Sequence, residues 1–296
     1  MRSTPLPPAM QMTGSCVLSE EYWEEAVGVL LDAVAEVHSA LGISFEFINV
    51  GGGLGIPYRP SQPRVDVTRV AARLRAVVDA KLKANPLPVE PALYMENGRY
   101  MTGPFGWLVA RCQAVKVAYG TRYYGLDACM ANLMRPGMYG AYHHVTVPAR
   151  ETEGAERAVS HVVGTLCENN DWFARDRDLP VASVGDLFVI HDTGAHAHSM
   201  GFQYNGKLRA PELLLRRADR PGAARRVDVI RDRETIHCLY DNTHVPADLL
   251  PQRDGADHVA AAQQQHVASP WPYEAGRPPP PPAAMVTPAV LAYATE

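Results

Sequence analysis

Apolar residues recur at three- and four-residue steps along 20–41, through Trp23, Ala26, Val27, Leu30, Leu31, Val34 and Val37, and this spacing predicts an amphipathic helix ended by Gly42. The pattern then changes. A β-branched and aromatic run over 44–50 predicts a strand that breaks into Gly51-Gly52-Gly53-Leu54-Gly55. Helical spacing returns over 67–82 through Val70, Leu74, Val77 and Val78, and a second strand-like piece at 92–95 runs straight into Glu96. Helix, strand, helix, strand with connections of this size predicts a parallel (β/α) architecture, in which functional groups gather at the carboxyl ends of strands. Gly51 to Gly53 and Glu96 both fall at such ends.

Beyond about residue 104 the helical period disappears. Short apolar or alternating runs at 107–117, 122–125, 143–147, 159–167 and 185–191, divided by Gly, Pro and charge clusters, predict an all-β second part. From 251 onward the chain is rich in Gln, Ala and Pro and includes the prolines at 278–282, which cannot join a sheet; 251–296 is expected to be a disordered tail. There is no internal repeat.

Composition narrows the class. With 296 residues, 47% of them hydrophobic, the chain can bury a substantial core. A net charge of -4 leaves no basic footprint for nucleic acid, and no run of apolar residues is long enough to span a membrane. The Pro-rich start lacks the apolar centre of a secretory signal, so the expected location is cytoplasmic. Five cysteines without a Cys-x-x-Cys read as separate reduced thiols.

Several clusters could carry chemistry, each with a plainer alternative. The glycine run is either a tight turn or a place where backbone N–H groups cradle an anion, phosphate being the commonest. Glu96-Asn97-Gly98-Arg99 is either a surface turn with a local ion pair or a functional strand end. Arg135, amid Leu and Met and followed by Tyr139, either snorkels to water or waits for a carboxylate. Cys167, at the end of an apolar run and before Glu168-Asn169-Asn170-Asp171, is either a small hydrophobe or a reachable thiol. His196 and His198 share a face if extended, which leaves a metal pair open, although no spacing forces a third ligand.

Taken in order, Gly51 to Gly55, Glu96-Asn97-Gly98-Arg99-Tyr100, Asp127-Ala128-Cys129, Arg135-Pro136, Tyr139 to His143, Cys167 to Asp171 and Tyr204-Asn205-Gly206 resemble the fold-type III pyridoxal-phosphate decarboxylases, diaminopimelate decarboxylases above all. The resemblance runs from about residue 14 to 240, with Asn97 where the family carries Pro. It implies α/β plus all-β classes: an unmatched stub at 1–13, the C-terminal half of a (β/α)8 barrel at 14–103 and a β-barrel or sandwich at 104–250. It also implies a head-to-tail homodimer in which each subunit completes the other's site. Gly51, Gly52 and Gly53 would hold the pyridoxal 5'-phosphate with Asn97, Gly98 and Arg99, and Glu96 would pair with its ring nitrogen. Arg99, Arg135 and Tyr139 would bind substrate carboxylate, Cys167 of the second subunit would return a proton to the α-carbon, Glu168 would read the distal end, and Tyr204 would lie against cofactor and substrate.

The family's cofactor lysine lies in barrel strands upstream of the matching stretch, so the chain is expected to be an N-terminally truncated member. Its lysines are Lys81, Lys83, Lys116 and Lys207, and Lys83-Ala84-Asn85 mimics the family's lysine motif at the wrong place. The resemblance therefore implies decarboxylation of meso-diaminopimelate to L-lysine. The alternatives are a D-ornithine or D-lysine decarboxylase, suggested by Asn169-Asn170 and Phe202-Gln203; a non-catalytic paralogue that binds a full-length homologue; and a metal-binding β-barrel enzyme.

Overall fold

Two helices and a short parallel sheet form the first part of the computed structural model, which describes residues 9–12, 14–216, 218, 225–249 and 289–293. The helical period of 20–41 becomes α1 (Glu21–Leu41), closed by Gly42 in the left-handed region at φ 67° with its N–H bonded to the His38 carbonyl. The second period becomes α2 (Val67–Ala84), started by Asp66, whose carboxylate accepts from the amides of Thr68 and Arg69. β1 (Ala9–Met10), β2 (Phe47–Gly52) and β3 (Ala92–Glu96) pair in parallel in that order. Residues 9–10, assigned to an unmatched stub, thus form the first strand of this sheet.

The core of this part is the predicted apolar faces. Trp23, Val27, Leu31 and Val34 of α1 and Val70, Leu74 and Val78 of α2 close over Ile48, Val50 and Leu54. Each such side chain contributes about 1.5–3 kcal/mol on burial. Arg73 to Glu24 and Lys81 to Asp32, both 2.6 Å, tie the two helices together outside it. Beyond β3 a single turn, α3 (Gly98–Thr102), leads into the sheet.

The remainder is a nine-stranded, mainly antiparallel sheet. Its spine is β4 (Gly106–Ala118), which buries Leu108, Ala110 and Cys112 by strict alternation and pairs with β5 (Thr121–Leu126). The turn α4 (Arg135–Tyr139) precedes β6 (Val145–Thr146). β7 (Arg157–Val163) runs parallel to β5 and antiparallel to β8 (Trp172–Pro180), and β9 (Leu187–Ile190) pairs with β4 and β6. β10 (Glu212–Leu215) and β11 (Val227–Arg231) form a hairpin at one side. Leu108, Tyr124, Leu126, Phe173 and Phe188 centre the second core.

The structure corrects two expectations. The apolar run at 159–167 yields a strand only to Val163, so Cys167 stands four residues beyond it rather than at its end. In the expected disordered tail, 289–293 forms β12 (Ala289–Tyr293), inserted between β4 and β10. That segment is free of proline and can complete a ladder, which the polyproline stretch before it cannot. The rest of 251–296 lies outside the described residues. The class is mixed α/β, with a parallel helix-covered sheet and a separate, mainly antiparallel one.

Candidate active site

The glycine turn sits at the carboxyl end of β2, and its composition is dictated first by the chain's own backbone. Gly51 (φ 77°) and Gly53 (φ 101°) adopt conformations that L side chains rarely take. A Cβ on Gly51, Gly52 or Gly53 would lie 2.2, 2.2 and 2.4 Å from the carbonyl oxygens of Gln11, Glu96 and Gly14. The amides of Gly51 and Gly52 donate to Asn49 Oδ1 (2.9 Å) and Met12 Sδ (3.2 Å). Two of the three expected cradle amides are therefore engaged within the chain.

Asn49 does a second thing. Its Nδ2 donates to Glu96 Oε1 at 2.6 Å, so one amide side chain both holds the turn and aims the carboxylate at the end of β3. Glu96 itself is exposed. Just beyond it, Asn97 precedes α3 without a side-chain capping bond, and its buried Oδ1 has no hydrogen-bond partner among the described residues. A Cβ on Gly98 would meet open space. The Glu96–Arg99 ion pair allowed by the sequence does not form, because Arg99 turns inward.

Arg99 and Arg135 are each only 9% exposed and meet at one hydroxyl. Arg99 Nη1 (2.7 Å) and Arg135 Nη1 (2.8 Å) both donate to Tyr58 Oη, and Arg99 Nη2 donates to Ser15 Oγ (3.0 Å). Arg135 Nη1 also meets His143 Nε2 at 2.7 Å, while His143 Nδ1 meets the His191 carbonyl at 2.7 Å. A carbonyl can only accept, so the proton of His143 sits on Nδ1 and Nε2 accepts from the guanidinium. Burial, with the fields of Arg135, Arg99 and Arg177, lowers the His143 pKa to about 3. Burial also raises the Tyr58 pKa, which keeps the hydroxyl intact. Neither arginine forms a salt bridge among the described residues. The result is a buried pair of guanidinium forks without a carboxylate, an arrangement suited to a carboxylate-bearing ligand.

The third group is separate. Asp171 accepts from the amides of Met130 and Leu166, both at 2.6 Å, and fixes the loop that carries Cys167. Cys167 is exposed and faces Asn205 Nδ2 at 3.9 Å; Glu168 Oε1 accepts from the Asn170 amide at 3.1 Å. A cleft of about 380 Å³ beside them is lined by Met130, Met134, Met138, Phe202, Tyr204 and Glu168. Tyr139 is 64% exposed. Among the described residues, Cys167, Glu168, Tyr139 and Tyr204 make no hydrogen bond to Glu96, Arg99 or Arg135.

Tyr58 and Asn49 belong to no motif visible in the sequence, although both organise the site. Among the described residues no group of three or more His, Cys, Asp or Glu could hold a metal ion. His198 lies 3.8 Å from Glu212, while burial, and then Arg99 and Arg135, lower the pKa of His196. The four lysines lie elsewhere: Lys81 and Lys83 on α2, Lys116 on β4 and Lys207 in the turn after Tyr204.

The structure thus holds an aimed carboxylate at the end of β3 and a pair of buried guanidiniums on Tyr58, with an exposed thiol on a separate loop. A family model described as the C-terminal sheet domain of pyridoxal-dependent decarboxylases matches residues 28–194, and the chain belongs to that family. It is 39% identical over 237 residues to diaminopimelate decarboxylase of Methanothermobacter thermautotrophicus, covering 80% of this chain and 53% of that protein. It is 48% identical over 198 residues to Protein TabA of Pseudomonas amygdali pv. tabaci, covering 67% and 46%. The crystal structure of diaminopimelate decarboxylase from M. jannaschii in complex with L-lysine matches with a TM-score of 0.70 at 33% identity, over 81% of this chain and 52% of that one. The chain thus spans about half the length of the curated relatives it matches.

Proposed function

We propose that this chain serves pyridoxal-phosphate-dependent decarboxylation of meso-diaminopimelate to L-lysine. The observation that carries this reading is the Arg99–Tyr58–Arg135 cluster, two buried cations with no salt bridge among the described residues. Diaminopimelate keeps a second carboxylate at its distal end, which the forks can accept. D-Lysine and D-ornithine end in an ammonium, which the same charges repel.

When bound, the cofactor supplies a cationic ring that takes up the electron pair left by the departing carbon dioxide. Glu96, oriented by Asn49, would pair with the ring nitrogen and keep it protonated. Asn97, Gly98, Arg99 and the backbone of Gly53 would offer donors to the phosphate, with Gly51 and Gly52 shaping the turn. Arg99, Arg135 and Tyr139 hold the substrate carboxylate. Glu168 and Tyr204 line the distal end, and Cys167 Sγ delivers the proton to the α-carbon from a second subunit. None of the four lysines of this chain stands at the strand ends, so none of them is assigned a bond to the cofactor.

The parallel unit within 14–103 would be part of a (β/α)8 barrel, and 104–250 a β-barrel or sandwich. The pairing would be a head-to-tail homodimer or a heterodimer with a full-length homologue. The test is carbon dioxide release from meso-diaminopimelate, D-lysine and D-ornithine with added cofactor, for the chain alone and co-expressed with a full-length homologue. Release from diaminopimelate, lost in Arg135→Ala, is expected. Release from D-lysine or D-ornithine alone moves the assignment to the D-amino acids. No release in either setting, with altered turnover of the co-purified homologue, leaves a modulating paralogue.

A further inference from the structure

Away from the Arg99–Arg135 pair, three more arginines face one cleft of about 420 Å³. Arg59 and Arg177 both stack on the ring of Tyr142, at 3.9 and 3.5 Å from its centre, and Arg175 stacks on Trp172 at 4.3 Å. Arg177 Nη1 donates to the His143 carbonyl (3.0 Å) and Arg175 Nη2 reaches the Asn169 carbonyl at 3.4 Å. None of the three has a salt bridge among the described residues. The one carboxylate lining the cleft, Asp176, comes no closer than 4.0 Å to His161.

The strand is deformed to make this possible. Opposite β7 the register of β8 shifts between Ser160 and Val162, and Asp176 takes a left-handed φ of 50°. A regular strand alternates its faces, whereas here Arg175, Asp176 and Arg177 all line the same cleft. Stacking on aromatic rings restricts the rotamers of the guanidiniums but leaves N–H groups free at their edges.

We propose that the cleft of Arg59, Arg175 and Arg177 is a second anion site, which takes a phosphate monoester or inorganic phosphate. One fork satisfies a carboxylate. Three forks around one space match a dianion with three terminal oxygens, and the volume leaves room for a small organic group. The site stands independently of the reading of the Arg99–Arg135 pair. It meets that pair at His143, whose carbonyl binds Arg177 and whose ring binds Arg135.

Titration calorimetry of the full chain with inorganic phosphate, against chloride at equal ionic strength, tests this. Saturable phosphate binding is expected, weakened by about tenfold or more in R59Q/R175Q, as loss of two charge-assisted contacts requires, and tightened in D176N. Arg59 and Arg175 are exposed, so the double variant should keep the wild-type circular dichroism. Titration with pyridoxal 5'-phosphate, itself a phosphate monoester, separates the sources: two saturable sites, one of them lost in R59Q/R175Q, support a second site, whereas a single site that R59Q/R175Q leaves intact assigns the phosphate to the cofactor cradle and overturns the proposal. Binding unchanged in R59Q/R175Q also overturns it, as does binding of an acidic peptide in place of phosphate.

Discussion

At the residue scale the site depends on one hydroxyl and one neutral imidazole. Tyr58 Oη is the shared acceptor for two buried guanidiniums. Tyr58→Phe keeps the ring and removes the acceptor, so it should cost about 1–3 kcal/mol in urea unfolding, the penalty of leaving buried donors unpaired. Its second expected effect is weaker carboxylate binding, because the forks lose their common anchor. A variant as stable as wild type would show that water replaces the hydroxyl and that the convergence on Tyr58 is incidental.

His143 makes stability depend on pH with a definite sign. Its folded pKa, about 3, lies below the usual value near 6.5, so below pH 6.5 the unfolded chain binds a proton that the folded chain refuses. Stability from this residue is full above pH 6.5 and falls as the pH drops, by about 1.4 kcal/mol per unit once well below it. Burial lowers His144, His191, His196 and His198 as well, so the same slope is reinforced. Asp192 opposes it, since burial raises its carboxyl to about 6 and its protonated form favours the folded state in acid. His143→Gln can still donate and accept, and it should lose about 2 kcal/mol less than wild type between pH 7.5 and pH 5. Equal losses in the two proteins would mean that His143 titrates freely.

At the element scale the glycine turn differs in kind from the other tight turns. Gly51→Ala meets both a left-handed φ and the Gln11 carbonyl, so it should cost about 2–5 kcal/mol, combining conformational strain with overpacking. Gly154 has a similar φ of 74° but open space around it, and Gly154→Ala should cost only about 1–2 kcal/mol. Thermal unfolding of both variants measures the difference. Equal costs would refute the packing explanation of the turn.

This scale also shows what was legible. Period and breakers in the sequence identify α1, α2, β2 and β3 to within a few residues, because α1, α2 and β2 bury apolar positions and the mostly exposed β3 is an apolar run bounded by Pro91 and Glu96. β8 escapes, since Arg175-Asp176-Arg177-Asp178 erases the alternation and the register shift disrupts what remains. Glu96, Arg99, Arg135 and Cys167 could be singled out as polar residues at breaks in apolar runs. Tyr58 could not, because its bonds cross 41 and 77 positions of chain and leave no local mark. Asn49 lies inside the predicted strand, where nothing in the local pattern marks it as a brace for Glu96.

At the scale of the whole molecule the residues of the candidate site fall into two groups that do not touch. Arg99 and Arg135 meet at Tyr58 and Glu96 is held by Asn49, while Cys167 and Glu168 sit on a loop anchored by Asp171 to Met130. A reaction using both groups needs them brought together, which the proposed head-to-tail pair would do. Gly98 has open space where a side chain would go, and Cys167 is exposed. Gly98→Cys treated with a short bismaleimide should therefore give a product of twice the 32.3 kDa chain mass on a reducing gel. The product should disappear in G98C/C167S and fade on dilution below the dimer dissociation constant. A cross-link confined to single chains would place the two groups in one subunit. Dimeric product that persists without Cys167 would show that another thiol forms it and would remove the support for a shared site.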